Sequence, residues 1–230
     1  VPLNVTVQCS AVPAPPVVTA TDNCDPVVPV TFSESVTPGN CPGNYTITRT
    51  WTASDNCGNN TARTQIITVM DTTPPVAMCK PHTAYLGANG MVQIFTFQID
   101  NGSTDNCNLQ SMSINPSSFD CSDVGPNIVT LTVTDACGNI STCTSIVTVV
   151  DNSKPHMACK DVTVELDASG DDITISPDDV NDGISDPCGI VSITLSQSIF
   201  GCADLGMKTI KVMAFDPSGN KSTCDVKVTV

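Results

Sequence analysis

The sequence predicts an all-β chain made of three tandem antiparallel β-sandwiches of immunoglobulin type. Three observations predict it: runs in which apolar residues alternate with Thr or Ser, clusters of Gly, Pro, Asn and Asp between those runs, and a set of marks that recurs at a fixed spacing. In the first unit the alternating runs are 5–7, 28–32, 45–53 and 63–69. In the second they are 128–134 and 145–149, and in the third 162–166, 173–175, 190–195 and 209–214. No stretch carries a helical period. Several short strands in so small a unit suit a two-sheet sandwich. Trp51 occurs in one unit only and reads as core filler, with Leu131 and Val212 at the corresponding inward position.

The marks divide the chain. Asp71-Thr72-Thr73-Pro74-Pro75 and Asp151-Asn152-Ser153-Lys154-Pro155 follow Thr-Val runs 80 positions apart, which sets units at 1–70, 71–150 and 151–230. Within each unit a first mark (Asp22-Asn23-Cys24, Asp105-Asn106-Cys107, Asp186-Pro187-Cys188) precedes a second (Cys41, Cys121, Cys202). A third follows: Asp55-Asn56-Cys57-Gly58-Asn59, Asp135-Ala136-Cys137-Gly138-Asn139 and Asp216-Pro217-Ser218-Gly219-Asn220. The first unit starts within the pattern and reads as N-terminally truncated, so the chain is expected to be three units of a longer array.

Units of this size bury little core and need staples. Thirteen cysteines supply them and point to an oxidising, extracellular or cell-surface setting. Zinc is not expected, since close Cys-x-x-Cys or Cys/His pairs are absent and His82 and His156 are the only histidines. A formal charge of −14 argues against nucleic acid and anionic membranes as partners and makes divalent cations the natural counter-charge. No apolar run approaches the ~20 residues of a membrane span, so no membrane insertion is expected in this segment.

In the third unit Cys159 enters the first strand and Cys224 opens the last, so a bond between them would tie the unit's ends and leave Cys188 with Cys202. The second unit repeats this as Cys79–Cys143 and Cys107–Cys121. In the first, Cys24–Cys41 leaves Cys9–Cys57 as an alternative staple. Cys137 is then odd, either a remnant of that second staple or a link between molecules.

The Asp-Asn-Cys turn, Phe-x-Cys-x-Asp-x-Gly (119–125, 200–206), Asp-x-Cys-Gly-Asn and closing Val-Thr-Val-x-Asp resemble hyalin-type (HYR-like) repeats and related immunoglobulin-like repeats of large secreted surface proteins, including those of gliding Bacteroidetes. The first unit, with Tyr45 to Ala53, looks like a sister subtype. This resemblance implies stalks of adhesins and extracellular filaments, with neighbouring repeats of the same chain as first partners and self-assembly into filaments as a further one.

Ca²⁺ takes six to eight oxygen ligands from carboxylates, amide carbonyls and backbone. The third-mark turns offer such groups in Asp55 with Asn59, Asp135 with Asn139, and Asp216 with Asn220. The linker residues Asp71 and Asp151 should face the first turns of the next unit, where Asp100 and Asp105, and Asp182 and Asp186, add carboxylates. Calcium stiffening joints that Pro74-Pro75 already restrict is one expectation; Asx turns bonded to their own backbone are the other. Sequons at Asn4, Asn44, Asn59, Asn101, Asn139 and Asn220 are candidate glycan sites, and Asp71-Thr72-Thr73 nominates Thr72 for O-glycosylation.

No catalytic constellation is present: neither histidine sits near a Gly-framed serine, and turn and ion roles account for the carboxylates. The expected function is a structural, rod-forming segment of a surface adhesin or extracellular filament. The alternative is a glycan- or protein-binding module, for which the scarce aromatics give little support.

Overall fold

A computed structural model describes all 230 residues. The first repeat holds β1 (Val5–Val7), β2 (Val30–Pro38), β3 (Tyr45–Ser54) and β4 (Asn60–Val69). The second holds β5 (His82–Tyr85), β6 (Met91–Gln93), the short helix α1 (Thr96–Ile99), β7 (Leu109–Asn115), β8 (Ser118–Asp120), β9 (Gly125–Asp135) and β10 (Ile140–Val150). The third repeats that order with β11 (Val162–Thr163), β12 (Ile173–Thr174), α2 (Pro177–Val180), β13 (Ser192–Leu195), β14 (Ile199–Phe200), β15 (Met207–Phe215) and β16 (Lys221–Thr229).

Each repeat contributes one four-stranded sheet, in orders β1-β4-β3-β2, β5-β10-β9-β7 and β11-β16-β15-β13. Two-stranded sheets β6-β8 and β12-β14 complete the second and third repeats; the first has none. The all-β, immunoglobulin-like class is as the sequence predicts. Its sheets are not wholly antiparallel, however, because the opening strand of each repeat runs parallel to the closing one, Val5 beside Ile67, His82 beside Val147 and Val162 beside Val228. The chain must cross the whole repeat between those two strands, which is the crossover a parallel pair demands.

Alternation along the strands decides what is buried. In β3 and β4 the inward set is Ile47, Arg49 and Trp51 with Gln65, Ile67 and Val69. In β15 and β16 it is Ile210, Val212 and Ala214 with Val226 and Val228, packed around Phe200. Leu131 and Val212, the counterparts of Trp51, are fully buried. The first repeat closes its apolar core on Ile47, Ile67 and Val69 with Val7, Val12 and Tyr45 against them. Phe32 from the exposed edge strand β2 leans on Trp51 with ring centroids 5.3 Å apart.

Compaction follows a different division from the sequence repeat. One unit comprises Val1–Pro81, Phe95–Asn115 and Val129–Ser145; the other comprises His82–Ile94, Pro116–Ile128 and Ile146–Val230. The middle repeat therefore contributes segments to both.

The disulfides account for part of this. Cys79–Cys143 and Cys159–Cys224 tie the first and last strands of their own repeats. The other bonds cross from one repeat to the next: Cys9–Cys107, Cys41–Cys137 and Cys121–Cys188. The expected pairs Cys107–Cys121, Cys188–Cys202, Cys24–Cys41 and Cys9–Cys57 are not formed. Cys24, Cys57 and Cys202 are free and exposed, and Cys137 is bonded. The correction has a geometric cause, since first-mark turns lie at the end of a repeat that meets its predecessor, where Cys107 and Cys188 reach that predecessor's cysteines.

Candidate functional site

The linker after each repeat is pinned to the first mark of the next. Val76 and Thr104 exchange backbone hydrogen bonds at 2.7 and 3.1 Å, and His156 and Ser185 do the same at 2.7 and 3.1 Å. This short antiparallel bridge sets Asp71 opposite Asp105 and Asp151 opposite Asp186. The third-mark turn comes from the same repeat as the first mark and brings in Asp135 and Asp216.

At the first joint three carboxylates converge, with an oxygen from each of Asp71, Asp105 and Asp135 within 4.8 Å of the others. Asp135 is fully buried at the end of β9 and is well partnered: Oδ1 accepts from the backbone of Cys137 and Asn139, both at 2.8 Å, and Oδ2 accepts from Asn139 Nδ2 at 2.7 Å. Asn139 also donates to the Asp71 carbonyl at 3.3 Å. Asp105 Oδ1 accepts from the amides of Cys107 and Asn108.

Asp71 is 4% exposed, and its Oδ1 has only the Thr73 amide at 3.3 Å. The Oδ2 atoms of Asp71 and Asp105 are buried and accept nothing. Cys9–Cys107 and Cys41–Cys137 flank the group, and a Cβ on Gly43 would lie 2.7 Å from Asp71 Cβ.

These surroundings split the carboxylates. Burial, then repulsion by Asp135 and Asp105, pushes the Asp71 carboxyl above its ordinary range. Burial pushes Asp135 the same way, but its bonds from Asn139, Cys137 and Gly138 outweigh burial and hold it below.

The second joint repeats the carboxylate arrangement, though one disulfide crosses it instead of two. Asp216 Oδ1 and Oδ2 accept from Asn220 at 2.8 and 2.9 Å, and Asn220 donates to the Asp151 carbonyl at 3.1 Å. Here Ser218 replaces Cys137, and its hydroxyl donates to Asp151 Oδ2 at 3.1 Å, so Asp151 has both oxygens partnered. Asp186 Oδ2 is buried without a partner; burial, then Asp151 and Asp216, raises its pKa.

Residues 150–230 match the HYR domain model, and residues 1–69 match the model of a HYR-like domain with 4 cysteines. The two ends of this chain are HYR-type domains. Among proteins with curated descriptions none matches the chain in sequence. Solved structures similar to it include human CDH23 EC21-23, at 13% identity over 99% of this chain and 98% of that one with a TM-score of 0.42. Others are protocadherin gamma B7 domains 1-4 (11% identity, 99% and 74% covered, TM-score 0.36) and Drosophila N-cadherin EC1-4 (12%, 99% and 73%, 0.35). The HYR-type matches at both ends, together with five disulfides in the chain, mark an extracellular module. No helix is long and apolar enough to cross a membrane.

Among the remaining candidate residues, Asn44 and Thr72 lie beside Asp71 at the first joint and the others lie outside the carboxylate clusters. Asp55 and Asn59 bond each other at 2.7 and 2.6 Å in an exposed turn. Asp100 closes the turn to Ser103 at 2.9 and 2.6 Å, and Asp182 is exposed with only its amide engaged, on the Ala158 carbonyl. Asn44 is half-buried and accepts from the Asp71 amide at 2.6 Å; Asn101 is exposed. Thr72 Oγ1 accepts from Gln8 Nε2 at 2.7 Å. The role of Gly43 escaped sequence reasoning, although its place two residues after a second-mark cysteine could have signalled a close approach.

Proposed function

We propose that these HYR-type repeats serve as a rod-forming spacer in an extracellular adhesin or filament, with joints made rigid by covalent bonds between successive repeats. The observation that carries this reading is the set of cross-repeat disulfides Cys9–Cys107, Cys41–Cys137 and Cys121–Cys188. Staples needed only for stability can close within a repeat, as Cys79–Cys143 does. Bonds across a joint also oppose bending and pass tension from one repeat to the next. Each contributes on the order of 2–4 kcal/mol by restricting the unfolded chain.

The pattern is extensible. Cys202 is the counterpart of Cys121 and keeps the same surroundings, its sulfur beside Gly170 as that of Cys121 is beside Gly90. It would serve a further repeat as Cys121 serves Cys188. Strand β2 is an unpaired sheet edge with Phe32 and Val36 exposed, which supports lateral pairing between chains.

Small-angle scattering tests the spacer. The oxidised protein should give one narrow, extended distance distribution. A variant with Ser at Cys9, Cys107, Cys41, Cys137, Cys121 and Cys188 should give a broad one. Identical profiles would show that the bonds do not set the joints.

A second reading, a glycan- or protein-binding module, draws on one feature. Phe95 and Phe97 are 51% and 70% exposed and stack with centroids 5.9 Å apart, a surface pair that the sequence pattern did not announce. Binding of cells or glycans that Phe95→Ser with Phe97→Ser abolishes would favour it.

A further inference from the structure

Buried carboxylates without a counter-charge are costly, because each like charge adds repulsion to lost hydration. The first joint gathers three carboxylates in one place, Asp71 and Asp135 buried and Asp105 half-buried. The ion pairs of the chain, Arg49–Glu34, Lys208–Asp204 and Lys211–Asp225, all lie elsewhere. Hydrogen bonds within the turns account for Asp135 entirely and for one oxygen of Asp105. They leave Asp71 Oδ2, on a side chain 96% buried by its 4% exposure, with nothing to accept, on a carboxylate that has an oxygen within 4.8 Å of the other two. A turn-forming role explains the Asp71 Oδ1 contact with Thr73 and gives no reason for that second oxygen to be enclosed.

We propose that Asp71, Asp105 and Asp135 bind one calcium-sized divalent cation at the joint between the first and second repeats. The donor set selects the ion. All three available ligands are carboxylate oxygens, suited to a hard cation of flexible coordination. The sulfurs of Cys9 and Cys107 come within the same 4.8 Å of Asp71 but are bonded to each other, as Cys137 is to Cys41, so none of these offers a thiolate to a soft metal. The ligands arrive from the linker, the first mark and the third mark, so one ion fastens three segments of two repeats. At the second joint Ser218 donates into the corresponding carboxylate of Asp151 and supplies locally what the first joint lacks. This site does not depend on the chain being a spacer.

Calorimetric titration of calcium chloride into the chelator-stripped, oxidised protein at neutral pH tests it, with thermal melting beside it. Wild type should bind with a dissociation constant no weaker than about 1 mM, the range of extracellular modules. Its melting temperature should rise by roughly 3–6 °C at ten times that constant. Asp71→Asn and Asp105→Asn should each lose the Asp71 site, and Asp151→Asn should keep it. In chelator, Asp71→Asn should melt above wild type, because the amide removes one of three like charges; this shows that the variant folds. Absence of calcium binding up to about 10 mM, or a calcium response that survives Asp71→Asn, would overturn the proposal.

Discussion

Cys41 and Cys137 stand 96 positions apart in the chain and are bonded, with their Cα atoms 5.2 Å apart. The bond lies against Gly43, where an added Cβ would come 2.7 Å from Asp71 Cβ and 3.0 Å from Cys137 Sγ. Both contacts are to atoms fixed by the joint, not to the ends of flexible side chains. Gly43→Ala should therefore cost about 1–3 kcal/mol in denaturant unfolding. An unchanged midpoint would mean that the joint yields more readily than this packing allows.

Asp186 should make the second joint sensitive to pH. Burial, followed by Asp151 and Asp216, raises its folded-state pKa, so the folded chain holds a proton that the unfolded chain has released. Stabilisation from such a group is complete below the unfolded pKa and is lost as pH rises through the folded one. In chelator, Asp186→Asn should therefore melt higher than wild type at pH 7. The gap should close as pH falls to about 4, near the ordinary carboxylate value. Melting curves across that window decide it, and a less stable variant at pH 7 would contradict the assignment.

Strand alternation was legible where the inward face is aliphatic, as at Val129, Leu131 and Val133. It was not legible for β7, where Gln110, Ser111, Ser113 and Asn115 dilute the pattern of a sheet-edge strand. Linker, first-mark and third-mark Asp residues meet at the first joint, whereas Asp100 and Asp182, which the sequence also placed at the joints, do not. What one sequence could not supply was the partner of each cysteine. Cys107 and Cys121 lie 14 positions apart in one repeat, yet each faces a different neighbour. Assigning the end-to-end bond first left them to each other by elimination. The linker bridge that brings Cys9 to Cys107 is made of backbone hydrogen bonds, which leave no residue signature.

Free thiols give an independent reading of the pairing. Cys24, Cys57 and Cys202 are exposed, so native oxidised protein should take up maleimide at these positions. Asp25 accepts from Asn56 at 2.8 and 2.7 Å, which holds the turns carrying Cys24 and Cys57 together. Oxidised glutathione should link those two and leave Cys202 as the labelled site. Labelling of Cys137 or Cys107 would be inconsistent with the bonds across the joints.

Successive repeats are sewn together by disulfides, and peptide mapping without reduction reads each of those bonds. Cleavage before Asp separates nearly every cysteine. Peptide 1–21 should be recovered linked to 105–119, and 120–122 linked to 186–203. Peptides 25–54 and 71–99 should both be held by 135–150. Recovery of 105–119 linked to 120–122, or of 1–21 linked to 55–70, would place the staples within single repeats and contradict these links.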